Sequence, residues 1–177
     1  MVSRRGTAVT LGSLALVVSS VLWAPAGQAH PGGDGSLTCS GTAHGSYDPP
    51  LTLRSQDSRI HADVRYSCTD GPGRNAPATS SFDAVAPSAS CVSLSDATGT
   101  EVVRYADGGR SVIVIDGTTA RAATGLTVVQ SGRVTEGRGA GHFVRRTVTS
   151  YFRQLPPECL GSGLRSTQSS VELEILP

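Results

Sequence analysis

Residues 60–68 read Ile-His-Ala-Asp-Val-Arg-Tyr-Ser-Cys, apolar and polar in strict alternation. Successive side chains on a strand point to opposite faces, so Ile60, Ala62, Val64, Tyr66 and Cys68 share a buried face while His61, Asp63, Arg65 and Ser67 meet water. The end of the chain repeats the pattern, turning Val171, Leu173 and Ile175 inward and Glu172 and Glu174 outward. Between them, Asp107-Gly108-Gly109-Arg110 separates two β-branched runs. A two-residue hairpin turn needs positive φ at both positions, which glycine supplies, and it sets Val103 opposite Val114 and Tyr105 opposite Val112. A longer hairpin over residues 125–153 folds about Gly139, pairing Val134 with Val144 and Leu126 with Phe152 on one face and Thr127 with Tyr151 on the other. Further strands are expected around residues 37–47, 51–54 and 81–94, and no stretch sustains an apolar helical stripe for three turns. The expected fold is all-β: an antiparallel β-sandwich of immunoglobulin-like type with about 7–9 short strands, a partly closed barrel being the alternative.

The first thirty residues break this pattern. A basic start with Arg4 and Arg5, an apolar run from about Ala8 to Ala24, and small residues at Gly27 and Ala29 have the layout of a secretory signal peptide cleaved after Ala29. The apolar run is about 17 residues, short of the ~20 that a spanning helix needs. The expected organisation is a signal peptide at 1–29, a flexible leader at 30–36 and one β domain at 37–177, in a secreted, extracellular protein. Loss of Arg4 and Arg5 from the 15 cationic residues leaves 13 against 14 acids, a formal charge of −1. Neither nucleic acid nor anionic membrane is an expected partner at that charge.

Cys39, Cys68, Cys91 and Cys159 all follow the signal, where thiols are oxidised, and their spacings contain no Cys-x-x-Cys pair of the kind that zinc or redox sites use. Two disulfides account for all four. Three connectivities are open; Cys39–Cys68 with Cys91–Cys159 is favoured because it ties the first strand to the next and mid-chain to the last third. On a chain-entropy model those loops stabilise by ~3.5 and ~4.5 kcal/mol.

Cys39-Ser40-Gly41-Thr42, Tyr47-x-Pro49-Pro50-Leu51-Thr52, Cys68, Val134-x-Glu136-Gly137 with Gly141 and Val144, Cys159 and the closing Val171-Glu172-Leu173-Glu174-Ile175 together resemble short secreted β-rich proteins of actinobacteria, a group with no assigned activity. That resemblance implies the compartment and the β fold.

Candidate chemistry is sparse. Ser162 lies between two glycines but lacks nucleophile-elbow spacing, so it reads as a loop, and Gly137, Gly139 and Gly141 read as a hairpin turn. Glu172 and Glu174 share a strand face, the minimal arrangement of paired carboxylates, with a solvated face as the simpler reading. Arg133, Arg145 and Arg146 form a candidate anion or partner patch on the long hairpin, where the expected register brings Arg133 directly opposite Arg145. Cleavage after Ala29 would make His30 the mature N-terminus, the position from which a histidine brace holds copper. This resembles the brace of lytic polysaccharide monooxygenases and some secreted copper carriers. Against it, Pro31 and the glycine-rich tether leave His30 without preorganisation, and His142 reads more simply as the partner of Glu136. The loop after Cys91, with Leu94 as its recognition residue, is a candidate inhibitory loop like that of secreted subtilisin inhibitors, although the cysteine spacings differ.

The expectation is therefore a monomeric, non-catalytic extracellular interaction or structural module with a protein or cell-envelope partner and no cofactor. The alternatives are a copper-binding protein centred on His30 and a secreted protease inhibitor.

Overall fold

A computed structural model describes residues 35–69, 74–122, 126–150 and 156–177. The expected signal peptide at 1–29 and residues 30–34 of the leader, His30 included, lie outside the described residues. The strands are β1 (Leu37–Leu51), β2 (Gln56–Thr69), β3 (Asn75–Ala89), β4 (Leu94–Ser95), β5 (Thr98–Tyr105), β6 (Arg110–Ala122), β7 (Leu126–Gly137), β8 (Phe143–Ser150) and β9 (Leu164–Leu176), with a 3₁₀ turn at Pro157–Leu160 ahead of β9.

Around the sheet β1 pairs antiparallel with β2, β2 with β3, β3 with β5, and β5 through β9 each with the next. β9 then returns to β1, from Leu37 opposite Ile175 to Ser46 opposite Ser166. That seam closes eight strands into an up-and-down antiparallel barrel, and the two-residue β4 is an appendage paired with the end of β3. The expected immunoglobulin-like sandwich is thus replaced by a barrel. A sandwich needs strands that break and switch sheets, whereas here strands as long as β1 and β3, at 15 residues each, run on in the one sheet that closes on itself. The two pieces expected at 37–47 and 51–54 are joined in β1 as far as Leu51.

The core is the barrel interior. Ile60, Ala62, Val64, Tyr66 and Cys68 of β2 and Val171, Leu173 and Ile175 of β9 are buried, as their alternation predicts. The β5–β6 hairpin departs from expectation. Its turn is three residues: the Tyr105 N–H donates to the Gly109 carbonyl (2.9 Å) and the Gly108 N–H to the Tyr105 carbonyl (3.0 Å). Gly108 alone of the two central glycines is left-handed, at φ +83°, the geometry of a type I turn closed by a glycine bulge. Val103 consequently faces Ser111, not Val114. An odd shift of register exchanges the two faces of a strand, so Ile113 and Ile115 enter the core at 0% and 1% exposure while Val114 stands 40% exposed.

The β7–β8 hairpin differs by an even step. Val144 faces Gly132 where Val134 was expected, so every side chain keeps its expected face. Leu126 faces Ser150 and Thr127 faces Thr149; Phe152 and Tyr151, their respective expected partners, lie outside the described residues. Gly137, Gly139 and Gly141 all adopt positive φ in the connection, confirming a turn.

Cys39 and Cys68, directly opposite each other on β1 and β2, form one disulfide. Cys91 and Cys159 form the second, tying the β3–β4 connection to the 3₁₀ turn. The favoured connectivity holds, and the two bridges lie at opposite ends of the barrel. Such a pair of bridges suggests an oxidising, extracellular-type environment.

Equilibrium unfolding in guanidinium distinguishes the two β5–β6 registers. Ile113→Ala should cost about 2–5 kcal/mol and Val114→Ala under about 1 kcal/mol; the reverse order would restore the two-residue turn.

Candidate functional site

In a closed barrel every second residue projects into the interior, and several strands place polar groups there. Glu101 lies on the inward phase of Val103 and Tyr105, Arg146 on that of Val144 and Val148, Gln130 on that of Val128, and Ser80 on that of Phe82. Glu101 and Arg146 are 0% and 2% exposed. The Tyr66 hydroxyl (2.9 Å) and the Ser80 hydroxyl (2.5 Å) both donate to Glu101 Oε1. Arg146 Nε lies 3.0 Å from Glu101 Oε2, although the two atoms are not aligned for a hydrogen bond, so this contact is electrostatic. Arg146 Nη1 donates to Gln130 Oε1 at 2.5 Å, and the guanidinium carbon sits 4.6 Å from the centre of the Phe82 ring.

Removing two charges from water costs several kcal/mol per ion, which mutual attraction offsets only when the remaining polar atoms also find partners. Tyr66 and Ser80 supply partners for Glu101 Oε1 and Gln130 supplies one for Arg146 Nη1, whereas Glu101 Oε2 and Arg146 Nε rely on the charge of each other alone. Burial pulls the Arg146 guanidinium toward deprotonation, but Glu101 and Tyr66 more than offset it and hold its pKa above the ordinary arginine value. Burial and, second, the Glu101 charge push the Tyr66 phenol well above the usual tyrosine range. Tyr66 therefore acts as a neutral donor.

Next to this network the lumen holds a cavity of about 60 Å³. Small residues of neighbouring strands make the space: Ala43 and Gly45 on β1, Thr167 and Ser169 on β9, with Gln130 and Arg146 on its border. The hydroxyls here are paired, Tyr47 with Thr167 at 2.9 Å and Ser150 with Ser169 at 2.6 Å. Burial raises the Tyr47 pKa, against the opposing pull of its Thr167 bond.

The sequence-derived candidates scatter. Arg133 lies on the outer wall opposite Phe143, its guanidinium carbon 3.9 Å from the ring centre, and Arg145 points outward between Ser131 and Glu174. The two-residue shift in register thus removes the expected Arg133–Arg145 opposition, and Arg146 belongs to the interior, so the three arginines do not form one patch. Leu94 is buried and lines the lumen, and the large apolar residue that this loop exposes is Val92, at 45%. Glu136 is bonded to Arg110 at 2.8 Å and not to His142, whose carbonyl accepts the Val134 N–H. Glu172 and Glu174 stand on the outer wall opposite Thr147 and Arg145. All four cysteines are consumed in disulfides. His30 lies outside the described residues; among those described, no group of three His, Cys, Asp or Glu side chains is placed to hold a metal.

Sequence reading missed Glu101, Gln130 and Arg146 as a site. The available signal was phase: each is a charged or amide residue at a position where strand alternation calls for an apolar one. His61, on the outer wall, has Nδ1 2.7 Å from Asp83, and that bond holds its pKa above the usual histidine value.

No family model, curated protein or solved structure matches the chain.

A double-mutant cycle measures the interior pair. Arg146→Met alone should destabilise by about 3–5 kcal/mol because it strands a buried carboxylate. Adding Glu101→Gln, which keeps an acceptor for Tyr66 and Ser80, should recover much of that loss; strictly additive penalties would show that the two side chains are not coupled.

Proposed function

We propose that the chain is a secreted, disulfide-stapled β-barrel acting without catalysis as an extracellular binding module, and that its lumen takes a small ligand. The observation that carries this reading is the cavity of about 60 Å³ bordered by Arg146 and Gln130: a recess with few, convergent polar groups in an otherwise apolar wall. The non-catalytic part rests on the use already made of the interior groups. Glu101 and Arg146 engage each other, and the Tyr66 and Ser80 hydroxyls donate to the same carboxylate oxygen. The side chains best suited to chemistry are thus engaged with one another inside the barrel.

Size narrows the reading. Pockets for drug-sized ligands run from roughly 300 to 1,000 Å³, and liquid water occupies ~30 Å³ per molecule. The recess accordingly suits a solute of only a few heavy atoms. Export and the two disulfides fit this role, because a small extracellular carrier must survive without cellular reductants or chaperones.

Thermal unfolding of the oxidised protein across a panel of solutes of a few heavy atoms, run beside generic esterase, glycosidase and protease substrates, tests this. Selective stabilisation without turnover is expected. Robust turnover abolished by one substitution would contradict the non-catalytic reading.

A further inference from the structure

We infer that the lumen selects an uncharged molecule carrying a carbonyl-type acceptor oxygen and discriminates against a carboxylate of the same size. This deepens the proposed function and rests on the lumen being a binding site. The cavity border carries a donor-only side chain, Arg146, among its polar groups. Arginine has five N–H donors and no acceptor. Among the described residues, Arg146 makes one well-aligned hydrogen bond, from Nη1 to Gln130 Oε1, and its Nε faces Glu101 Oε2 without alignment. Gln130 spends one lone pair of its oxygen on that bond, and its NH₂ group adds two further donors. The neighbouring hydroxyls of Thr167 and Ser169 are engaged with Tyr47 and Ser150. Each hydroxyl pair keeps one O–H to give, so an acceptor oxygen entering the cavity meets donors on Arg146, Gln130 and these hydroxyls.

Charge then separates acceptor types. Glu101 already balances Arg146 inside the barrel. A bound carboxylate would add a second negative charge beside a single cation in a low-dielectric interior, whereas a ketone, aldehyde or amide oxygen accepts the same hydrogen bonds without disturbing the balance. The remaining walls, Ala43, Phe82 and Val128 among them, suit a short alkyl body.

Gly45 offers a way to close the space without breaking the fold. A Cβ placed there would lie 3.6 Å from Thr167 Oγ1 and 3.8 Å from the Tyr47 hydroxyl, ordinary contact distances, with both of those residues lining the cavity. Gly45→Ala should thus fold and narrow the recess.

The test is an amide-detected NMR titration of the oxidised protein with 2-butanone, propionate and xenon as probes. Saturable shifts at Val128, Gln130 and Arg146 are expected with 2-butanone, at an affinity roughly tenfold above that for propionate, and weakened about fivefold or more in Gly45→Ala. If none of the three probes moves those amides, the lumen is not a binding site and both the functional reading and this inference fall. If propionate binds as tightly as 2-butanone or more so, the lumen reading survives and the inferred ligand class is wrong. Xenon moving those amides where 2-butanone does not would make the recess a dry apolar void, and that too overturns the ligand class.

Discussion

The pairing of β1 with β9 is the constraint from which the other features follow. Leu37 meets Ile175 and Ser46 meets Ser166, strand segments drawn from the two ends of the domain, and this seam removes the free edges that an open meander would present. Once it forms, the inward residues of eight strands face one another across a closed interior, and every inward side chain must be accommodated there. Cys39 opposite Cys68 reinforces the adjoining β1–β2 pairing, and Cys91–Cys159 anchors the opposite end, where the Cys91 N–H also donates to the Thr52 carbonyl at 2.8 Å. The bridges thus brace the barrel at both ends.

Closure also explains the buried charges. In an open sheet Glu101 and Arg146 could turn to solvent, but β5 and β8 here face one interior and bring the two within 3.0 Å. Tyr66, Ser80, Gln130 and Phe82 then complete a network contributed by β2, β3, β5, β7 and β8. A pair of this kind adds little net stability over a well-packed apolar core, but it penalises any misregistration of the strands that carry it. The small residues of β1 and β9 leave the lumen incompletely filled beside that network, and the proposed function depends on that gap.

Much of this was legible in the sequence wherever local rules govern. The phase of β2 and β9 followed from alternation, the glycine-rich turn between β7 and β8 from its composition, and the presence of two disulfides from compartment and cysteine count, with the observed pairing the favoured one of three. Two things escaped. In Asp107-Gly108-Gly109 either glycine can take positive φ, so the turn length, and with it the face of β6, was decided by packing of Ile113 and Ile115 that no local pattern reveals. Closure itself is a contact between the chain's distant halves and has no local signature, which is why a sandwich and a barrel looked alike. The interior site was half visible: Glu101 and Arg146 break the apolar phase of their strands, but only the closed topology makes them partners.

Amide hydrogen exchange along the seam tests closure most directly. A strand bonded on both sides protects every N–H, whereas one bonded on a single side exposes alternate amides. With β1 held by β2 and β9 along 38–46, and β9 by β1 and β8 along 170–174, amides across both segments should all exchange slowly, at or near the global unfolding limit. Fast exchange at every second amide in both segments would mean that the seam is open and that the barrel, its paired interior charges and its lumen do not exist as described.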